Sequence, residues 1–278
     1  MPQGTPPDNP PQEARSTAET SPQIVSFSAS PADAWTLRDL LFFTAFTSVW
    51  LLLSPLLTYT GYVALQPLVG WRIPLQELRT NAFFAVASQT IFYLPVLGYI
   101  YLLVVVHYGQ PFWRGLAWRK LRPDQALRYL LGGILLSMAV LLVPPLLPEA
   151  KTFPLQRLFT SAPAAYAVGA FAILIAPFME EVIFRGVLFA IFERRVGLGF
   201  AVVATAMLFA GLHVPEYWRA WNHALLILVV GVVFSLARGV TGSLTPSVIL
   251  HIGYNASMMA GLFLQTQHFR TLQGILAP

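Results

Sequence analysis

Three ionisable side chains crowd into a stretch that is otherwise apolar. In "FMEEVIFRG", Glu180 and Glu181 stand beside each other and Arg185 follows four residues after Glu181. An ionisable group at the centre of a membrane span costs about 2.5–3.5 kcal/mol on insertion scales, so such groups normally face a bundle interior or a wet cavity and act there. Residues four apart share a helical face, and glutamate before arginine is the favourable order for an ion pair. Adjacent residues are turned by about 100°. The spacing therefore predicts a division of labour in which Glu181 pairs with Arg185 and Glu180 is left for chemistry. Pro177, one turn earlier, has no N–H and leaves the Ile173 carbonyl without its usual donor, predicting a kink or opening close to Glu180.

Two other segments add polar groups. "AVVATAMLFAGLH" ends on His213, and "LTPSVILHIGYNASMMAGLF" places His251 and Asn255 four residues apart on one face. Glu180 lies about 15 residues before the turn at 195–197 and His213 about 15 after it, so both sit roughly 22 Å from that turn at 1.5 Å per residue. Counting from about 240, His251 and Asn255 fall at roughly 17 and 23 Å from the same face. Three helices thus bring Glu, His, His and Asn to one slab near the midplane. A glutamate in a poorly hydrated cleft can take a proton from water. A histidine can hold that water or protonate a leaving amine, and an imidazole with an amide can donate to the oxyanion of a tetrahedral intermediate. This set suits hydrolysis of a peptide bond by activated water.

Other hydrolytic designs lack their residues. Asp8, Asp33, Asp39 and Asp124 are the only aspartates, and all fall outside the predicted spans, which removes a two-aspartate site. There is no His-Glu-x-x-His, and no cysteine for a thiolate nucleophile, disulfide or thiolate metal site. Ser247 precedes His251 by one turn but lacks a Gly-x-Ser-Gly setting and reads as a small packing residue. Glu180, His213 and His251 could together ligate zinc with one position open; the reading without a metal is the one favoured here.

The elements that must hold these residues are membrane helices. The 278 residues are 56% hydrophobic and 10% charged, with a mean hydropathy of +0.64; a soluble domain carries roughly 25% charged residues. Apolar runs fall at about 40–65, 82–107, 127–147, 163–192, 198–213, 221–238 and 244–264, predicting an all-α polytopic bundle of about seven transmembrane helices. The alternation of a β-barrel is missing. Residues 1–35, rich in Pro, Ser, Thr and Gln, read as a disordered tail without the apolar region of a signal peptide. Residues 36–150 form an N-terminal group of spans, 163–265 the polar-bearing core, and 266–278 a short polar tail. Arg114, Arg119, Lys120, Arg122 and Arg128, then Arg194 and Arg195, then Arg238, fall on one side of seven alternating spans. Arg72, Arg79, Lys151, Arg157, Arg219 and Arg270 lie opposite. This bias predicts a cytoplasmic N-terminus in a plasma (inner) membrane protein. No basic runs interleave with aromatics, so nucleic acid is not an expected partner.

Glu180-Glu181-x-x-x-Arg185, Phe209-x-x-x-His213 and His251-x-x-x-Asn255, in that order, resemble the three motifs of the CAAX prenyl protease and bacteriocin-processing (CPBP, or Abi) family, over roughly residues 163–265. The resemblance implies an intramembrane glutamic endopeptidase. Glu180 would be the general base, His213 its partner on the water, His251 and Asn255 the oxyanion site, and Glu181 and Arg185 supports. The implied partners are the bilayer and a membrane-associated protein or peptide substrate, lipidated or not. Two other readings stand beside it: a catalytically silent scaffold or immunity protein of the same fold, and a proton or solute transporter. The second would want an internal repeat, and none is visible between the two halves. His107, His223 and His268 fall at predicted span ends and read as structural, while Glu216 could rim the cavity mouth.

Overall fold

In a computed structural model, residues 1, 4, 35–70, 73–143, 158–217 and 221–272 are described; most of the proposed N-terminal tail, the end of the polar tail and the side chain of Glu216 lie outside them. Every regular element among the described residues is helical. Six helices are long and apolar enough to cross a membrane: α1 Leu37–Val69, α2 Ala82–His107, α3 Pro123–Leu141, α4 Ala162–Val196, and, after the shorter apolar α5 Leu198–His213, α6 Trp221–Thr241 and α7 Leu244–Gln265. The polytopic helical bundle is as expected. One of the anticipated spans is the 16-residue α5, and the third ends at Leu141 rather than near 147.

Local sequence sets the helix ends. Thr36 accepts from the Asp39 amide while the Asp39 carboxylate takes the Thr36 N–H, a reciprocal cap that starts α1. Gly70, at φ 74°, ends it in the left-handed conformation. Asp39 is therefore inside the first turn of α1, not outside the span, and is buried. It also accepts a short hydrogen bond from the Tyr108 hydroxyl, tying the start of α1 to the end of α2. Trp50 Nε1 donates to the Ile91 carbonyl at 2.8 Å and joins the same two helices at mid-height. Asn81 caps α2 through the Phe84 N–H, and Ser161 caps α4 through the Ala164 N–H.

The helix that carries His251 is held from two sides. A Cβ placed on Gly133 of α3 would sit 2.0 Å from the Leu250 carbonyl oxygen, and one on Gly253 would sit 2.4 Å from that of Leu130. The backbones of α3 and α7 thus touch, which only glycine permits. At its N-terminus α7 is gripped by the basic connector. The Leu244 N–H donates to the Ala117 carbonyl at 3.0 Å, and the Thr245 hydroxyl donates to the Arg119 carbonyl at 2.7 Å while accepting the Arg119 N–H. On the other flank, Gly231 of α6 lets that helix close on Ala206 of α5.

Helix α4 is not uniformly α-helical. Residues Phe171–Ile175 and Val182–Leu188 are wound as π-helix, and the six-residue α segment Ala176–Glu181 between them carries both glutamates. The opening expected from Pro177 is present as the first π segment.

Candidate active site

Glu181 and Arg185 are fully buried, and the expected pair is made: Arg185 Nη1 donates to Glu181 Oε1 at 2.9 Å. The guanidinium is also held by α6, with Nη2 donating to the Gly231 carbonyl at 2.8 Å and Nε to the Ser235 hydroxyl at 3.2 Å. The rings of Phe184, Phe209 and Phe234 surround it, Phe209 nearest at 4.8 Å. A buried ion pair is tolerated when further hydrogen bonds offset its desolvation; α6 supplies two of them to Arg185, while Oε2 of Glu181 is buried without a hydrogen-bond partner.

His251 links this pair to the remaining glutamate. Its Nδ1 lies 2.9 Å from the same Glu181 Oε1, and its Nε2 lies 3.8 Å from Glu180 Oε2. An ionised carboxylate only accepts, so Nδ1 carries the proton and Nε2 is directed to Glu180. Glu180 itself is partly open, its side chain 21% exposed. Its other oxygen accepts from the hydroxyl of Tyr93 of α2, at 3.3 Å. One imidazole therefore stands between two glutamates of different character: one sealed and paired, one reachable.

His213 is the last residue of α5 and half-buried. Its Nδ1 donates to the Phe209 carbonyl at 2.7 Å, since a carbonyl has no proton to give, and this leaves Nε2 of the neutral ring as an acceptor. Both imidazoles pack on one ring, with centroids 4.7 Å (His213) and 5.9 Å (His251) from Phe209. Asn255, one turn beyond His251, directs Nδ2 to the Ala172 carbonyl of α4 at 2.7 Å. Ser247 is fully buried and its hydroxyl donates to the Leu244 carbonyl.

Among the described residues, no three His, Cys, Asp or Glu side chains form a group able to hold a metal ion.

Three participants escaped the sequence reading. Tyr93 lies in an apolar span with nothing but a hydroxyl to mark it. Ser235 reads as one more small residue of a span. Arg238 was counted as a loop charge, yet α6 runs on to Thr241 and leaves Arg238 only 3% exposed. Its Nε donates to the Arg185 carbonyl at 3.2 Å, and its guanidinium lies over Phe189 at 5.3 Å. The missed signal was the length of the sixth apolar run: "SLARGVT" continues it past Arg238, with Gly239 a helical packing position against Leu198 and Phe189, and the turn comes only at Gly242.

Residues 161–257 match the family described as Type II CAAX prenyl endopeptidase Rce1-like, a stretch that contains Glu180, Glu181, Arg185, His213, His251 and Asn255. No curated protein and no solved structure matches the chain.

Proposed function

We propose, on the premise that residues 161–257 form a CAAX-protease-like core in a multi-pass membrane protein, that the protein is an intramembrane endopeptidase acting on membrane-associated proteins or peptides. The observation that carries this reading is the placement of His251 between Glu181 and Glu180. Glu181, paired with Arg185, fixes the Nδ1–H tautomer of His251. Nε2 then faces the half-open Glu180, ready to exchange a proton with it.

In the proposed reaction Glu180 takes one proton from a water molecule, whose other hydrogen is accepted by Nε2 of His213. The water oxygen bonds to the scissile carbonyl carbon and its π pair moves to the carbonyl oxygen. Collapse of the tetrahedral adduct breaks the C–N bond, and the proton held by Glu180 passes through His251 Nε2 to the leaving amine. Water, peptide and two products balance with nothing else consumed, and no step uses a metal. The basic connector between α2 and α3 faces the cytoplasm in this reading, which places the N-terminus inside.

The deciding experiment compares the cleaved termini of the host's membrane proteins with the wild type and with Glu180→Gln, which keeps the shape and removes the base. Termini that vanish in the variant identify a protease and its substrates together. Matching profiles, with the wild-type phenotype retained by the variant, would instead leave a silent scaffold of the same fold.

A further inference from the structure

A π segment contains one residue more per turn than the α-helix around it, so when α register resumes one carbonyl is left without a backbone donor. Helix α4 does this twice. The Ala176 N–H reaches back five residues to the Phe171 carbonyl. The next amide in that register would serve Ala172, but the next residue is Pro177, which has no N–H. At the second segment the Phe189 N–H takes the Phe184 carbonyl, also five back. The α register then resumes, and the Arg185 carbonyl is passed over. Both carbonyls lie at membrane depth, where an unmet polar group is costly.

Each is met from another helix. Asn255 of α7 donates to Ala172 at 2.7 Å, and Arg238 of α6 donates to Arg185 at 3.2 Å. These two bonds bracket Ala176–Glu181, the segment bearing both glutamates. We infer that Asn255 and Arg238 are positioning residues, each occupying the carbonyl that a π segment leaves without a donor, and that together they fix the rotation of the stretch carrying Glu180 and Glu181. The inference rests on the proposed hydrolase reading for its consequence in catalysis, while its structural half does not depend on any substrate.

The test therefore has two arms, run on the full chain in lipid. In the first, hydrogen exchange is followed peptide by peptide for Asn255→Ala, Asn255→Leu and Arg238→Met, the last retaining an apolar stem over Phe189. The two Asn255 variants are expected to exchange about tenfold faster across 171–181, and Arg238→Met across 182–190, with the rest of the bundle unchanged. Asn255→Leu is close to asparagine in size and has no donor, so it separates the hydrogen bond from the packing. Wild-type exchange in these windows overturns the inference, whatever the activity does. In the second arm, with a substrate identified through Glu180→Gln, kcat of Arg238→Met as well as of the Asn255 variants is expected to fall about a hundredfold as Glu180 is misplaced while KM stays within about twofold. A fall confined to the Asn255 variants overturns the inference by making Asn255 an oxyanion donor. A raised KM with kcat retained overturns it by making Asn255 a substrate contact. A chain with no peptidase activity fails the hydrolase reading, and the exchange arm still decides the inference.

Discussion

Oε1 of Glu181 accepts two charged-group hydrogen bonds at once, from Nη1 of Arg185 and Nδ1 of His251, each at 2.9 Å. One oxygen thereby joins the buried ion pair to the imidazole that faces Glu180.

Losing the charge on Glu181 should therefore cost both. Glu181→Gln leaves a fully buried guanidinium without its counter-charge, and breaking a buried pair from one side costs about 3–5 kcal/mol. A marked fall in thermal midpoint, together with loss of proteolysis, is expected in detergent. An unchanged midpoint would show that the Gly231 and Ser235 bonds hold Arg185 unaided.

Glu180 should separate stability from activity. It is partly exposed and forms no tight ion pair, so Glu180→Gln should leave the midpoint within about 0.5 kcal/mol of wild type, the usual range for a substitution away from the core. The rate should fall by a factor of about 10² to 10⁴, the contribution of a general base. Parallel melting and single-turnover assays check this directly.

Tyr93 should affect kcat moderately. Tyr93→Phe keeps the stacking on Phe171 and removes the hydroxyl that donates to Glu180. One hydrogen bond to a charged group is worth about 1.5–3 kcal/mol, or a rate factor of about ten to a hundred if it is realised in the transition state. A kcat equal to wild type would remove Tyr93 from the site.

The glycine contact between α3 and α7 should be intolerant of any side chain. Gly133→Ala places a methyl carbon 2.0 Å from the Leu250 carbonyl oxygen, so the helices must separate. Separation moves His251 relative to Glu180, and kcat should fall together with the midpoint. A monodisperse variant with full activity would show that α7 is placed by the connector at Ala117 and Arg119 alone.

Tyr108 gives a pH signature at the membrane edge. Burial, then its hydrogen bond to Asp39, push the phenol up from 10.0 to about 12. A group whose folded pKa is raised contributes stability that is complete below the unfolded value and disappears as pH climbs through the folded one. The Tyr108–Asp39 clasp should therefore weaken only between pH 10 and about 12. In a spectroscopic titration, the tyrosinate difference between wild type and Tyr108→Phe should be a late component, and in the Asp39→Asn background that component should titrate earlier.

Much of this arrangement is readable in the chain because it depends on local spacing. Glu181 and Arg185 are four apart, His251 and Asn255 are four apart, and the depth of each follows from counting along a helix. What spacing cannot show is which residue of a neighbouring helix lies opposite. Tyr93 contributes only through α2 packing against α4, and Arg238 is buried only because α6 runs a turn past the expected end. An orphaned carbonyl was expected at Ile173, four before Pro177; the one met from another helix is that of Ala172, five before Pro177, where the backbone is wound in steps of five. That choice depends on a donor from α7, about eighty residues away in the chain.

The π segment before Glu180 also has a meaning for chain length. It absorbs one residue relative to a straight α-helix, and neighbouring side chains differ by one residue's rotation, about 100°. Were Phe171–Ile175 to relax into α geometry at constant length, each later residue would advance one step. Glu180 would move to the place of Glu181, and Phe184 to that of Arg185. Removing one residue from the segment, by contrast, would straighten the helix and leave both glutamates facing as they do. In α4 a single-residue deletion is the conservative change, and loss of the bulge without it is the disruptive one.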